Sequence, residues 1–392
     1  MSSTERRRRT VRRTSDDRSL LDDETAAHLA ACRDELPERP PATAVTFGFD
    51  GFVDNVREMV DERRSAEEYA ELETLGELGT RIGDSVAADS SLTVEWCHLG
   101  TRAGGHAAHL SRAFGRLGFD PTLIGTFGEP PRDAFEAEFG DYEMHSVGDP
   151  TITDAVEFRD GKLMLQEAGS QPRLDWTTLA DRVGVETLAD AVDGSAALGV
   201  GYWANVPEMA TIWDGLRSEL WPLLSDPPET VFVDPADLRH LSTDRIRAGA
   251  ESLSALDDVV PVTVSANRSE TAVVAGLRDG DEEVESIWTA AETARDVLGV
   301  TRYAVHSPTE VAAATPEGVH RAAVPRTDDP VLTTSAGDHF NAGLLFAEIA
   351  GLTAGASLVV GNAVAGYFVR NGEPPTYDDL LGFVAEYEQA FE

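Results

Sequence analysis

The chain has 392 residues, 42% of them apolar, enough to bury one large core or two moderate ones. Asp and Glu number 70 against 32 Lys and Arg, a formal net charge of −38, which excludes a general nucleic-acid surface and repels itself unless salt screens it. Lys162 is the only lysine, and this combination fits a cytoplasmic protein of a salt-accumulating halophile; an acidic protein with arginine-rich codon usage is the alternative.

The first 18 residues, MSSTERRRRTVRRTSDDR, carry no apolar run, so they read as a disordered tail rather than a secretory signal or a nucleic-acid arm. Residues 21–35 read as a short acidic helix and 35–43 as a proline-rich lead-in, so 1–43 forms a tail and 44–392 the folded domain. AVTFGF, 44–49, is a buried first strand. HAAHLSRAFGRLG, 106–118, has helical period and ends in glycine, and PTLIGTFG follows as a strand. TITDAVEFRDGKLML, 151–165, reads as a hairpin around Asp160-Gly161. AALGVGYW, TVFVDP, VVPVTVS and RYAVHS are further strands between helical stretches. This alternation predicts an α/β fold, a doubly wound and mostly parallel sheet, with a small β-containing lid drawn from segments within about 52–100 and 145–170. The long uncharged run 349–369 contains Gly351-Leu352-Thr353, a helix stop and N-cap, and so reads as two buried helices rather than a membrane span. Cys32 and Cys97 fit no metal or redox spacing.

In open α/β sheets ligands gather beyond the carboxyl ends of the strands. Four polar clusters sit there: Asp50/Asp54, Asp234, Asn267/Glu270 and the turn Ser335-Ala336-Gly337-Asp338. The last is the most specific. A helix start offers unpaired N–H groups and a partial positive charge, and small side chains let an anion approach them. Asp338 would repel a phosphate unless a hydroxyl lay between, its proton passing to the carboxylate as phosphorus is attacked. An Asp N-cap on a buried helix is the plain alternative, as turn chemistry around Gly51 is for Asp50 and Asp54. A P-loop is excluded, because the only lysine is followed by Leu163, and no G-x-G-x-x-G follows a strand.

GGHAAHLSRAFGRLG, 104–118, and TTSAGDHFNAG, 333–343, resemble the two signature segments of the ribokinase-like (PfkB) carbohydrate kinases. Between them SANRSE resembles the family's N-x-x-E motif at Asn267 and Glu270, and VDPADLR its D-P-x-x-R strand end at Asp234. The likeness covers roughly 44–390. It implies Asp338 as catalytic base and the backbone of Ser335, Ala336 and Gly337 as an anion hole. It implies that Asn267 and Glu270 organise Mg²⁺ and its waters around the phosphates of ATP or ADP. Asp50, Asp54, Gly104, Gly105 and His106 would meet the sugar, with Asn55 beside them, and Asn362 would line the adenine pocket, a helix-packing Asn being the plain alternative there. The stretch FGFDGFVDNV has a spacing closer to the ADP-dependent branch. Departures are His106 and His109 where the family has Asn, Ser335 where it has Gly, Leu332 where Asp is common, and HSPTEV where a glycine turn is usual. Of the two histidines, His106 is expected to touch substrate and His109 to be a packed helix residue.

The acceptor is expected to be a sugar or sugar phosphate, leaning to a pentose or ribose 1-phosphate held by Arg102 and Arg173, whose alternative is solvated surface charge. A nucleoside kinase, an ADP-dependent sugar kinase and a non-catalytic nucleotide- or sugar-binding regulator remain as alternatives. The intact Asp338 and N-x-x-E argue against the regulator. Pairing into a homodimer through the lid is what the resemblance implies.

Overall fold

The computed structural model describes residues 21–41, 43–278, 286–327 and 329–391; the tail expected over 1–20 lies outside them. The acidic lead-in is α1 (Asp23–Glu35), whose N-cap Asp22 accepts a hydrogen bond from Thr25 N–H at 2.7 Å. There follow β1 (Ala44–Gly48), β2 (Phe52–Arg63), β3 (Tyr69–Glu71), α2 (Leu75–Ala87), β4 (Glu95–Gly104), α3 (His106–Leu117) and β5 (Asp120–Gly125). Next come α4 (Asp133–Phe139), β6 (Met144–Ser146), β7 (Thr151–Phe158), β8 (Gly161–Glu167), α5 (Trp176–Val183), α6 (Val185–Val192) and β9 (Ser195–Val200). The chain continues through α7 (Met209–Gly215), β10 (Thr230–Val233), α8 (Thr243–Asp257), β11 (Val262–Asn267), α9 (Arg268–Ala275) and α10 (Ile287–Leu298). It ends with β12 (Arg302–His306), β13 (Glu310–Thr315), β14 (Gly318–Ala323), α11 (Ala336–Ile349), α12 (Ala354–Asn371) and α13 (Tyr377–Ala385).

Nine strands form one sheet in the order β14-β13-β12-β11-β10-β9-β1-β5-β6. From β12 to β6 every pairing is parallel, and β13 and β14 add an antiparallel edge. The central strands read as unbroken apolar runs because both faces are covered. One face packs on α5 to α10 through Leu179, Ile212, Leu253, Val274 and Ala291. The other packs on α1, α3 and α11 to α13 through Leu29, Leu110, Leu345, Val359 and Leu380. That is the doubly wound arrangement expected. Chain order reverses at β1, whose neighbours are β5 on one side and β9 on the other, so the switch-point crevice opens between β1 and β9.

The expected hairpin is β7–β8, with Phe158 opposite Gly161. It joins a second, five-stranded sheet in which β2 pairs with β3, β4 and β7. The run 349–369 is indeed the end of one helix and the body of another, α11 and α12, and among the described residues no helix is long and apolar enough to cross a membrane.

Candidate active site

The carboxyl ends of β1, β9, β10, β11 and β12 deliver Asp50, Tyr202, Asp234, Asn267 and His306 to one edge of the main sheet. The start of α11 faces them. Its N-cap, Ser335, sits at φ +66°, a left-handed conformation that L side chains adopt at a cost, and its side chain makes no capping bond. Asp338 therefore occupies the first turn rather than the cap, where helical geometry leaves N–H groups without a carbonyl four residues back.

Asp338 is 8% exposed, and Tyr202 donates its hydroxyl proton to Asp338 Oδ1 at 2.6 Å. Burial pushes the carboxyl up to about 6, while the Tyr202 hydrogen bond pulls the other way. Tyr202 itself is held well above the usual phenol range by burial and by Asp338, so it remains a donor. This residue was not singled out by motif; its only signal was its place just past a strand end in AALGVGYW.

Asp234 is buried, accepting from Asn341 Nδ2 at 2.8 Å and from Ala236 N–H at 2.8 Å. Burial and the neighbouring Glu270 and Asp338 raise its pKa well above the carboxylate range. Asn267 caps α9, its Oδ1 accepting from Ser269 N–H and Glu270 N–H, while Glu270 Oε2 accepts from Asn267 N–H at 2.9 Å. The N-x-x-E pattern is thus a reciprocal capping box, which fixes where the Glu270 carboxylate stands. Burial also raises Glu270. Mutual repulsion among Asp234, Glu270 and Asp338 is what a divalent cation would relieve, so the donor set fits Mg²⁺. Among the described residues no three side chains converge tightly enough to ligate an ion directly, so phosphate and water oxygens would have to supply most of its shell.

Beside Ala336 and Gly337 lies a cavity of about 420 Å³, lined by Asn267, His306, Ser307, Pro308, Val324, Pro325, Phe340, Asn362 and Val369. Its walls are mainly apolar, as a planar base needs, and it opens onto the start of α11. The turn HSPTEV that replaces the expected glycine is held by Ser307 Oγ donating to Glu310 O at 2.7 Å. Asn362 lines the cavity, yet its amide donates to Ala323 O at 3.1 Å.

The remaining expected sugar contacts behave differently. Asp50 is fully buried, and its carboxylate accepts from His106 N–H at 2.7 Å and Ala107 N–H at 2.9 Å, capping α3 across 56 residues of sequence. The glycine pair serves the chain's own carboxylates. A Cβ on Gly104 would stand 2.2 Å from Asp54 Oδ2, and Gly105, at φ +95°, would put one 2.6 Å from Asp50 Oδ2. Asp54 faces Arg102 across the β2–β4 pairing, and that guanidinium partly offsets the rise that burial imposes on its pKa. Asn55 accepts from Thr101 Oγ1 at 2.9 Å.

Both histidines are packed residues of α3, and it is His109 rather than His106 that reaches the turn before α11. His106 is 0% exposed, stacked on Phe232, with its ring against the Gly201 backbone and burial holding its pKa at about 3. His109 instead reaches the anion loop, its Nε2 3.0 Å from Ser335 Oγ. Helical side chains lean toward the N-terminus, so the first residue of α3 is driven into the sheet while the next on that face projects over the loop. Arg102 lies at the junction of the two sheets with Nε buried and unpartnered, whereas Arg173 is exposed on the turn 171–173. The lone lysine is part of the site: Lys162 on β8 donates to Thr334 Oγ1, which donates to Glu157 on β7, tying the second sheet to the residue before Ser335.

Comparison with known proteins agrees with this geometry. The family model for prokaryotic ketohexokinase matches residues 21–387. The ketohexokinase of Haloferax volcanii is 51% identical over 371 residues, 94% of this chain and 98% of that protein. Among solved structures, phosphofructokinase-2 of Escherichia coli superposes with a TM-score of 0.60 at 13% identity, covering 89% of this chain and 100% of that one. Ribokinase of Thermotoga maritima gives 0.57 at 15% identity over 88% of this chain and 100% of that one, a likeness of fold alone. A buried carboxylate in the first turn of α11, on this fold and with these relatives, makes the chain a PfkB-type phosphotransferase acting on a sugar hydroxyl, and it belongs to the prokaryotic ketohexokinase family.

Proposed function

We propose that the chain phosphorylates a hydroxyl of a ketohexose with ATP, Asp338 acting as general base. The observation that carries this is the placement of Asp338: buried, hydrogen-bonded by Tyr202, and at the helix start where the 420 Å³ cavity ends. The substrate class follows the Haloferax relative and the family; neither supports the pentose or ribose 1-phosphate expectation. The exposure of Arg173 also weakens a two-arginine site for an acceptor that already carries a phosphate.

In this reading the base lies in the apolar cavity with Asn362 at its wall, and the phosphates run past Ala336 and Gly337. The acceptor oxygen forms a bond to the terminal phosphorus as the bridge to the second phosphate breaks, leaving ADP, and the hydroxyl proton passes to Asp338. Mg²⁺, when bound, would neutralise charge on the phosphates. Glu270 would hold its waters, with Asn267 fixing Glu270 in place. The backbone N–H of Gly337 would face the charge that develops on the transferring group, whereas that of Ala336 donates to Thr333 O at 3.3 Å. Asp54 is the acidic side chain best placed for sugar hydroxyls, and Asp50, Gly104, Gly105 and His106 act beneath it by shaping that wall.

The second sheet serves as the lid of a single kinase domain spanning 44–392. Its outer side exposes Ile82 (49%), Val86 (76%), Leu99 (56%) and Leu165 (45%), a face that a second copy of the chain would cover. A regulator with no activity has no need of a base poised near neutrality, which is why the catalytic reading leads.

The test is turnover by the full chain in multimolar KCl with Mg²⁺, offering ATP and ADP in turn with ketohexoses, aldohexoses, ribose 1-phosphate and nucleosides. The expected result is a sugar monophosphate, identified by phosphorus NMR, from ATP and a ketohexose. Turnover with ADP alone, or with another acceptor class alone, would overturn the donor or acceptor assignment, and binding without turnover across the panel would favour the regulator.

A further inference from the structure

Two departures from the family's signature segments, His109 and Ser335, lie 226 residues apart in sequence and touch in the structure. His109 Nε2 is 3.0 Å from Ser335 Oγ, and its other ring nitrogen, Nδ1, is 2.9 Å from Arg112 Nη1. An arginine can only donate, so Nδ1 must accept. A neutral imidazole with Nδ1 accepting carries its proton on Nε2, and the Ser335 oxygen must then accept from it. That leaves the hydroxyl proton of Ser335 free to be given elsewhere. Arg112 cannot turn away: Nη2 also donates to Ala103 O at 2.8 Å and to Glu138 Oε2 at 2.8 Å, and Nε is paired with Glu138. Each donor and acceptor in the series therefore has one available direction.

We propose that Arg112, His109 and Ser335 form a proton-ordered relay that aims the Ser335 hydroxyl, as a donor the glycine of the usual signature lacks, at the phosphoryl group in transfer. This rests on the kinase reading above. Ser335 lies between Thr334, which Lys162 grips, and Ala336, which lines the cavity, and it is the N-cap of the helix whose first turn carries Asp338. The positive charge of Arg112 is felt at Asp338 as well, placing the relay within electrostatic reach of the base. Burial and the adjacent Arg112 hold His109 well below the usual imidazole pKa, consistent with a ring that stays neutral. Ser335 would thus be a catalytic residue and His109 a positioning residue.

The position at φ +66° makes a clean test available, because Ser335→Gly removes the hydroxyl and relieves the backbone. The expected result is a fall in kcat of about 10- to 100-fold, as for loss of one donor to a developing oxyanion, with both KM values within about twofold and no loss of thermal stability. His109→Leu should lower kcat to a similar extent, and the double variant should be no worse than Ser335→Gly alone. Unchanged kcat in Ser335→Gly overturns the proposal, since a hydrogen bond that merely shapes the loop would leave this variant active. Losses that multiply in the double variant overturn the relay. A second measurement does not depend on the kinase reading: nitrogen NMR of the full, ligand-free chain should show His109 neutral and protonated at Nε2 at neutral pH. A proton on Nδ1, or an imidazolium, overturns the relay even in a protein that phosphorylates nothing, while failure of the kinase reading alone shows as absent turnover in wild type.

Discussion

The two walls of the site differ in charge balance and are built by different sheets. The wall from the main sheet and α11 is acidic, with Asp50, Asp234, Glu270 and Asp338, and burial raises every one of these carboxyls. The facing wall, from the second sheet and α3, holds the site's cations, Arg102, Arg112 and Lys162, alongside Asp54 and Glu157 of its own. Phosphates entering between them, as the proposed reaction requires, would meet these cations on one side and, on the other, the α11 N–H groups beside acids that can share a metal ion. The cations are gathered on one side of the site even though the whole molecule carries −38.

Removing the base should break this contrast most severely. Asp338→Asn leaves the fold intact but cannot take the acceptor's proton, so kcat should fall at least ~10²-fold in the same turnover assay. On the cationic wall, Lys162→Met should lower kcat/KM by roughly tenfold, with the loss shrinking as KCl is raised, because a screened charge contributes less. Retention of full activity there would leave the second sheet without an electrostatic role.

The acid side can be sharpened through pH. As the proposed base, Asp338 would act in its ionised form, so a pKa raised to about 6 predicts activity that is present above that pH and falls as pH drops through it. Tyr202 stabilises the ionised form, so Tyr202→Phe should move this acid limb upward and lower activity at neutral pH by a few-fold. A limb moving downward would contradict the hydrogen-bond assignment. Asp50 divides the acidic wall into reacting and supporting groups. Asp50→Asn can satisfy only one of the two N–H groups on α3 and should cost about 1–3 kcal/mol of unfolding free energy at fixed salt, with a much smaller change in kcat. The smallest effect is expected at Arg173→Ala, where turnover should stay within about twofold.

The alternation of strands and helices, the hairpin at Asp160-Gly161 and the α11 start were legible in the sequence because each is signalled locally, by periodicity or by turn residues. What escaped it depends on distant partners. Nothing near Asp50 says that its oxygens belong to the backbone of residues 106 and 107, and a search by motif alone reads it as a sugar ligand. His106 and His109 share one stretch of helical pattern; which of them meets the loop is decided by the tilt of side chains at a helix start and by Phe232 and Tyr202 behind it. Tyr202 lacks a motif of its own. Lys162, by contrast, was visible as the lone lysine of a strongly acidic chain, a signal of composition rather than spacing.

Three of the four links between the second sheet and the rest of the chain are short, the fourth being residues 168–175 after β8. Residues 49–51 separate β1 from β2, Gly105 alone separates β4 from α3, and residues 147–150 separate β6 from β7. Any swing of the second sheet must be taken up along that line, as a door turns on its pins. Asp50 is the middle residue of the first link and is fastened to the first turn of α3, the helix that carries His109. The pivot and the anion loop are therefore mechanically connected, and opening the door would tug on the same helix that aims Ser335.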